Sequence, residues 1–478
     1  MLTYRNAPMS PRNSKPFIFR IFIRVFSALL LYNLYSALML YIYNILDDTP
    51  NSHTTTDIHP IDELIRLTPH KQHSLHLLLN YVKNYNSSDG HTHGESITTG
   101  DDTICSRFGF EYNGRTTRRR IFFGALIADD SWHTILTHAI EAHGLYHSVA
   151  FIESNSTTSD DASQSRKLRF TNESIEFKAL TSGIFGETTR VTVDNYIDHP
   201  ERRKDFLPDW DDGVEEMQRE LIVERWKQQG MTQDDIGIVG DTDEFFSRDM
   251  MLAATSCDVP SLRPGQNCHY PKILGRSLVF EISPECVTEE RRWHHPDMIS
   301  GQCVDLIGNE TLHKPGKRHW NGHGPRMKGY GNTPDEYNMM PNITQYPLWK
   351  GEDIRTLAGG DQTKGDEPQS AFHLHNFFLS TQTLRNKYST YSHASAKLRN
   401  KPLGQIDTDL EFAINCVTER IESKSQEYYS VTGGYEAIQG HGPILFDHLK
   451  EYRTARQQEL KKMILEDEEL FGRYHRLK

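Results

Sequence analysis

A charge-free apolar run from Val25 to Leu46 sets the N-terminal pattern of the chain. At a rise of about 1.5 Å per residue it reaches roughly 33 Å, enough for a bilayer core of about 30 Å. Arg5, Arg12, Lys15, Arg20 and Arg24 precede it, and Asp47 and Asp48 close it. The positive-inside rule makes residues 1–24 a cytosolic tail and carries everything after Asp48 across the membrane. A cleaved signal peptide would have a shorter apolar region ending in small residues. This run ends on Tyr41-Ile42-Tyr43-Asn44-Ile45-Leu46, so the expectation is an uncleaved signal-anchor at 25–46 and a single-pass type II membrane protein.

Residues 47–103 are rich in Ser, Thr, Asn, Asp and His and read as a flexible stem. One amphipathic stretch interrupts them, with Leu64, Leu67, Leu75, Leu77, Leu78, Leu79 and Val82 spaced for a short helix. The organised domain is expected over 104–425. Ile121 to Ile127 is a compact apolar run that predicts a buried strand. Trp132 to His143 has helical spacing, with Trp132, Ile135, Leu136, Ala139 and Ile140 on one stripe. His147 to Glu153 is the next strand, and it stops at Ser154-Asn155. Strand, helix, strand is the signature of a parallel α/β sheet, whose ligands bind where strands end.

A second such unit comes next. Gly213 to Gln229 is helical in pattern (Val214, Met217, Leu221, Ile222, Trp226) and closes at Gly230. Ile236 to Gly240 is a short strand running into Asp241-Thr242-Asp243-Glu244, and Met250 to Ala254 opens another helix. Residues 308–366 are rich in Gly, Pro, Asn and His and predict little regular structure. Ala371 to Leu379 is strand-like. A C-terminal extension, 426–478, carries Glu451, Arg453, Arg456, Glu459, Lys461 and Lys462 from Phe446 onward, which reads as a solvated peripheral helix. No internal repeat is present.

Composition narrows the function classes. The net charge of −12 argues against a nucleic-acid binder, whose affinity rests on clustered cations. The basic run Arg115 to Arg120 reads as solvating the approach to a strand, ahead of any phosphate-binding role. All six cysteines (Cys105, Cys257, Cys268, Cys286, Cys303, Cys416) lie past the apolar run, and none forms Cys-x-x-Cys. Zinc ribbons and thioredoxin-like chemistry are therefore disfavoured, and disulfides are expected, within the group Cys257 to Cys303. Asn86, Asn155, Asn172, Asn309 and Asn342 are glycosylation acceptors by tripeptide, a common pattern that carries weight only beside the predicted orientation.

The constellation that carries chemistry is Asp241-Thr242-Asp243. An Asp-x-Asp is ordinarily a solvated turn. Here it ends an apolar strand after a helix-to-strand crossover, where two carboxylates can hold a hard divalent cation, Mn²⁺ or Mg²⁺, that shares its coordination with a substrate diphosphate.

With these residues in view, the chain resembles glycosyltransferase family 17, enzymes that transfer N-acetylglucosamine to the β-mannose of N-glycans. Phe151-Ile152-Glu153-Ser154-Asn155 resembles the family's strand ending in Glu-Ser-Asn, and Lys167-Leu168-Arg169-Phe170 the short basic segment after it. Asp234-Asp235-Ile236 through Asp241-Thr242-Asp243-Glu244, continuing to Arg248-Asp249, is similar to the family's metal-binding strand and the Asp beyond it. Phe372-His373-Leu374-His375-Asn376-Phe377-Phe378 stands where the family has a Gly-Trp-His strand, and Lys387 to His393 resembles the family's segment beyond that strand. The likeness covers about Arg120 to Glu422. Glu244-Phe245-Phe246 replaces the family's Glu-Ile-Pro, and Phe372-His373 its Trp-His pair, departures that leave the acceptor open.

The resemblance implies a Golgi membrane enzyme with a GT-A-like α/β nucleotide-sugar-binding sheet, helices on both faces, and its catalytic domain in the lumen. It implies UDP-GlcNAc as donor, a glycoprotein glycan as acceptor, a divalent cation, and inversion at the anomeric carbon. Asp241 and Asp243 would hold metal and donor, and Glu153, Ser154 and Asn155 would line the nucleotide site. For Glu153, pairing with a nearby Arg at the strand end is an equal reading. Asp249 matches the family and could be the general base or a support of the metal site, and Glu352, Asp353 and Asp366 are base candidates by composition.

Among 24 histidines, His91 with His93, His294 with His295, and His319 with His323 invite a zinc reading. No His-Glu-x-x-His occurs, His91 and His93 read as solvated stem residues, and the Gly/Pro-rich loop of His319 and His323 gives no helix to place both on one face, so a zinc hydrolase ranks below the transferase. His373 and His375 share a face if their segment is a strand; one of them, taken as His375, could complete a metal shell, with a hydrogen-bonded core histidine the reading that ranks ahead of it. The rival readings are a lumenal carbohydrate-binding protein without catalysis and a transferase of different donor and linkage. The type II orientation predicts that sealed microsomes protect the region after Asp48 from protease and that glycosidase treatment lowers the apparent mass. Full digestion of that region would overturn the orientation.

Overall fold

The computed structural model describes residues 58–85, 103–112, 118–156, 166–197, 213–263, 272–289, 295–307, 354–355, 361–362, 370–390, 401–419, 429–430 and 434–472. The expected anchor, the sequons at Asn86, Asn309 and Asn342, and Glu352, Asp353 and Asp366 lie outside them. So do His91, His93, His294, His319 and His323. Among the described residues no helix is long and apolar enough to cross a membrane.

The protein is a mixed α/β structure with helices on both sides of its main sheet. That sheet has the order β12-β8-β11-β5-β2-β3-β4. Its centre is β2 (Ile121–Leu126), flanked in parallel by β3 (Tyr146–Ser154) and β5 (Ile236–Asp241), with β4 (Arg190–Tyr196) parallel outside β3. β11 (Asp297–Ser300) lies antiparallel to β5 and to β8 (Lys272–Leu274), and β12 (Asp361–Gln362) completes the edge.

Alternation along β2 feeds two cores. Ile121, Phe123 and Ala125 face one core, and Phe122 faces the other. On the second side lies α5 (Gly213–Gln228), whose Ile222 and Trp226 are fully buried. A Cβ on Gly124 would stand 2.1 Å from Ile222 Cγ2, so the strand must carry glycine for α5 to dock. Trp226 Nε1 then donates to the Phe123 carbonyl at 3.1 Å. On the first side α4 (Trp132–Ala142), capped by Ser131, links β2 to β3. The sequence predicts one buried stripe on α4, yet every residue of it is buried. The reason is that α2 (His73–Asn84) and α8 (Ile444–His448) cover its outer face.

A second sheet has the order β14-β10-β9-β13-β6, from β14 (Tyr429–Ser430), β10 (Val287–Glu289), β9 (Ser277–Phe280), β13 (Ala371–His373) and β6 (Glu244–Phe246). The strand expected over Ala371 to Leu379 lasts only three residues. Asn376, at φ 57°, bends the chain away from it. The pair β1 (Glu111–Tyr112) and β7 (Cys257–Asp258) forms a small separate ladder.

Two boundaries differ from the sequence reading. The compact unit begins at His59, so the amphipathic stretch belongs to the folded body. α1 (Pro60–Leu67) buries Ile61 and Leu64, and α2 buries Leu75, Leu78, Leu79 and Val82 in the main core. The C-terminal helix α9 (Lys450–Phe471) is likewise integral, with Tyr452, Arg456, Leu460 and Ile464 buried. Its charges mislead because they are matched: Glu459 accepts from Ser74 N at 2.8 Å and Ser74 Oγ at 2.5 Å, and Asp467 pairs with Arg385 at 2.6 Å.

Two of the disulfides leave the expected grouping of Cys257 to Cys303. Cys105 joins Cys257 and Cys286 joins Cys416, across separations of 152 and 130 residues. Cys303 is disulfide-bonded too, and no cysteine is free among the described residues. Tertiary proximity, invisible in linear spacing, decides these partners.

Burying the six apolar side chains of α1 and α2 is worth on the order of 10 kcal/mol, comparable to a domain's whole net stability of about 5–15 kcal/mol. A chain beginning at Ile58 should therefore melt in one cooperative transition, whereas one beginning at Thr103 should aggregate or melt at least roughly 15 °C lower. Equal melting temperatures by calorimetry would show that the helices are dispensable.

Candidate metal centre

From β2 the chain crosses to β3 on one side, while β5 lies on the other. The carboxyl ends of β2 and β5 therefore flank a topological switch point, where open α/β sheets bind ligands. Asp241 stands there, in register with Leu126.

Between Asp241 and Asp243 the chain leaves the main sheet and enters the second one through β6. Gly240 permits the reversal, since a Cβ there would lie 2.8 Å from the Glu244 carbonyl. Thr242 turns inward: its Oγ1 donates to the Leu126 carbonyl at 2.7 Å, and its own carbonyl accepts from His138 Nδ1 at 3.2 Å. Leu374 N donates to the Asp243 carbonyl at 2.8 Å. β13 pairs with β6 so that His373 lies opposite Glu244.

The four acidic groups here have different fates. Asp241 is ion-paired with Arg355 at 2.9 Å and with Arg219, on α5, at 3.2 Å. Glu244 is buried, and both its oxygens are held by Arg355, at 2.5 Å and 3.0 Å. Burial opposes its charge, but the Arg355 guanidinium overrides that and keeps the carboxyl well below its usual range. The Asp243 carboxylate accepts no hydrogen bond among the described residues, and its ion-pair partner is His373 Nε2 at 3.9 Å. Burial raises its pKa, with Glu244 and Asp241 adding repulsion, while His373 and Lys387, on α7 (Thr381–Thr390), oppose.

The fourth group, Asp130, was missed in the sequence. It accepts from Ala128 N at 2.8 Å in the turn after β2. Burial first, and the charge of Asp243 second, lift its carboxyl to about 6. A signal existed: Ala128-Asp129-Asp130-Ser131 comes directly after an apolar strand, the same positional argument that singled out Asp241.

Asp243, Glu244 and His373 offer donor atoms within 4.8 Å of one another and could hold a metal ion. Two carboxylates and an imidazole suit a borderline divalent cation such as Mn²⁺. The expected ligand set shifts accordingly. His375 is not in the group: its Nδ1 contacts buried Glu281, because β13 has ended and the chain is turning at Asn376. His373 takes that place. Asp241 is also outside the group, held by its two arginines.

Glu153 is pinned by structure. It is buried and accepts from Arg169 N at 2.7 Å and Phe170 N at 2.8 Å, with Arg166 at 3.5 Å. The strand-end pairing is thus observed, and the basic segment after it meets this carboxylate. Ser154 Oγ accepts from Ser156 N, and Asn155 is tied through its main chain to Tyr196 and Arg166. Asp249 opens α6 (Arg248–Ser256) and is ion-paired with Arg107 of α3 (Thr103–Arg107), beside the Cys105–Cys257 bridge. Its carboxylate therefore fastens α3 to α6. Asn172 is exposed and Asn155 half-buried, so of these two sequons Asn172 is open to a glycan. The chain matches no family model, no curated protein and no solved structure.

Proposed function

We propose that the chain is a glycosyltransferase that moves a sugar from a nucleotide diphosphate donor to a glycan hydroxyl. By its resemblance to family 17, the donor is UDP-GlcNAc, the acceptor an N-glycan mannose and the compartment the Golgi lumen, while the apolar run from Val25 to Leu46 behind its cations supports a type II topology. The observation that carries the reading is the Asp243 carboxylate. It stands at a switch point, partly desolvated and without a hydrogen-bond donor among the described residues, 3.9 Å from His373. A half-buried acid left in that state marks a site prepared for a cation.

Asp243 and His373 would hold that ion, which when bound supplies charge neutralisation at the leaving diphosphate. The acceptor oxygen forms a bond to the anomeric carbon, the bond from that carbon to the diphosphate breaks, and the hydroxyl proton passes to a base. Asp130 is the acceptor we assign to that proton, because its carboxyl feels the charge of Asp243 and burial lifts its pKa to about 6. Asp249 is committed to Arg107.

Asp243→Asn keeps the shape but removes the charge. Transfer should fall by about 10²–10³-fold, UDP affinity should lose its Mn²⁺ dependence, and the melting temperature should stay within a few degrees. Equal, metal-independent UDP affinity in both proteins would refute the site.

The raised carboxyls also set a pH dependence. Asp243 and Asp130 are protonated more readily than ordinary aspartates, and a cation competes with those protons. Mn²⁺ affinity should therefore weaken as pH falls, because burial makes the Asp243 carboxyl take up its proton more readily than an ordinary aspartate. Calorimetry between about pH 5 and 8 reads this, and a flat profile would contradict it.

A further inference from the structure

Asp243, Glu244 and His373 approach one another closely enough to share one cation, but their availability is unequal. Glu244 receives Arg355 Nη1 at 2.5 Å on one oxygen and Nη2 at 3.0 Å on the other, and the first oxygen also accepts from Asp241 N at 3.0 Å. Both its oxygens are already engaged by charge-assisted bonds in a site where it is 1% exposed, which makes it a poorer donor to a cation than Asp243. Arg355 is itself buried at 8% and fixed a second time by Asp241. Its charge is permanent, so the arrangement persists at any physiological pH. Asp243 is held by no such donor among the described residues.

We propose that Arg355 sets the coordination of this site: its guanidinium keeps Glu244 out of the shell, leaving Asp243 and His373 as the protein ligands and the other positions open. This rests on the nucleotide-sugar reading above, because the open positions are what the donor's diphosphate oxygens would fill. Hard divalent cations in phosphate-transferring sites bind through one or two carboxylates plus substrate oxygens, and catalytic metal sites differ from structural ones by an open position. Arg355 therefore governs how strongly cation and nucleotide depend on each other. Without it, Glu244 loses its guanidinium partner and is recruited to the metal. The site then trades openness for affinity.

The test uses the full-length chain in detergent and MnCl₂ alone, then UDP with and without Mn²⁺, all by calorimetry. Glu244→Gln preserves shape and should leave Mn²⁺ affinity within about twofold of wild type, whereas loss of a true ligand costs roughly tenfold or more. Arg355→Ala should raise Mn²⁺ affinity about tenfold or more and shrink the factor by which Mn²⁺ strengthens UDP binding. A tenfold loss in Glu244→Gln would overturn the proposal, as would Mn²⁺ affinity unchanged or lowered in a folded Arg355→Ala. If Arg355→Ala does not fold, Glu244→Gln decides alone. Wild type that binds Mn²⁺ but shows no coupling to UDP would sink the nucleotide reading, while the two variants still judge the role of Arg355. Wild type that binds no Mn²⁺ overturns both.

Discussion

Thr242 joins two sheets. Its hydroxyl is bonded to the end of β2 and its carbonyl to His138 of α4. The main sheet ends at Asp241 and the second begins at Glu244. Whatever orients the acidic residues must therefore also hold the sheets together. Gly240 allows the reversal, and the pairing of β13 with β6 brings His373 in beside it. His138 is buried neutral, stacked on Phe245, and burial drives its pKa down to about 3. It thus remains a hydrogen-bond donor to Thr242 without adding charge near the site.

Electrostatics partition that site into a half held by guanidinium groups and a half without them. Asp241 and Glu244 are paired with Arg219 and Arg355, a costly desolvation of ions that only close, fork-shaped contacts can offset. The carboxylates of Asp130 and Asp243 have no such guanidinium partners at hydrogen-bond range among the described residues, and burial makes them hold protons more tightly. The simple picture of an acidic cluster relieved only by metal is thus too coarse. Half the cluster already carries its counter-ions within the protein.

The two chain ends of the compact unit are fastened to each other across α4. Glu459 caps α2, Tyr452 contacts His133, and Glu141 accepts from Arg248 N and Ile444 N. Burial raises the Glu141 carboxyl to about 7, so it is held by backbone donors rather than by an exposed charge pair. This clasp explains how a polar-looking N-terminal stretch and a highly charged C-terminal helix both belong to the folded body.

What the sequence determined by itself is the central βαβ order and the position of the acidic turn. Apolar runs of fixed period specify β2, α4, β3, α5 and β5, and such local patterns survive in any tertiary setting. The sequence also marked Asp243, because a carboxylate directly after a buried strand must face the sheet's carboxyl edge. Only the tertiary structure chose between His373 and His375, since that depends on where β13 stops and on the turn at Asn376. It alone assigned Asp249 to Arg107, Glu153 to the backbone of 169–170, and the cysteines to distant partners. The same holds for α1, α2 and α9, whose burial comes from the surfaces they meet. Periodicity reports which side of a segment is apolar, but partners separated by a hundred residues or more leave no trace in it.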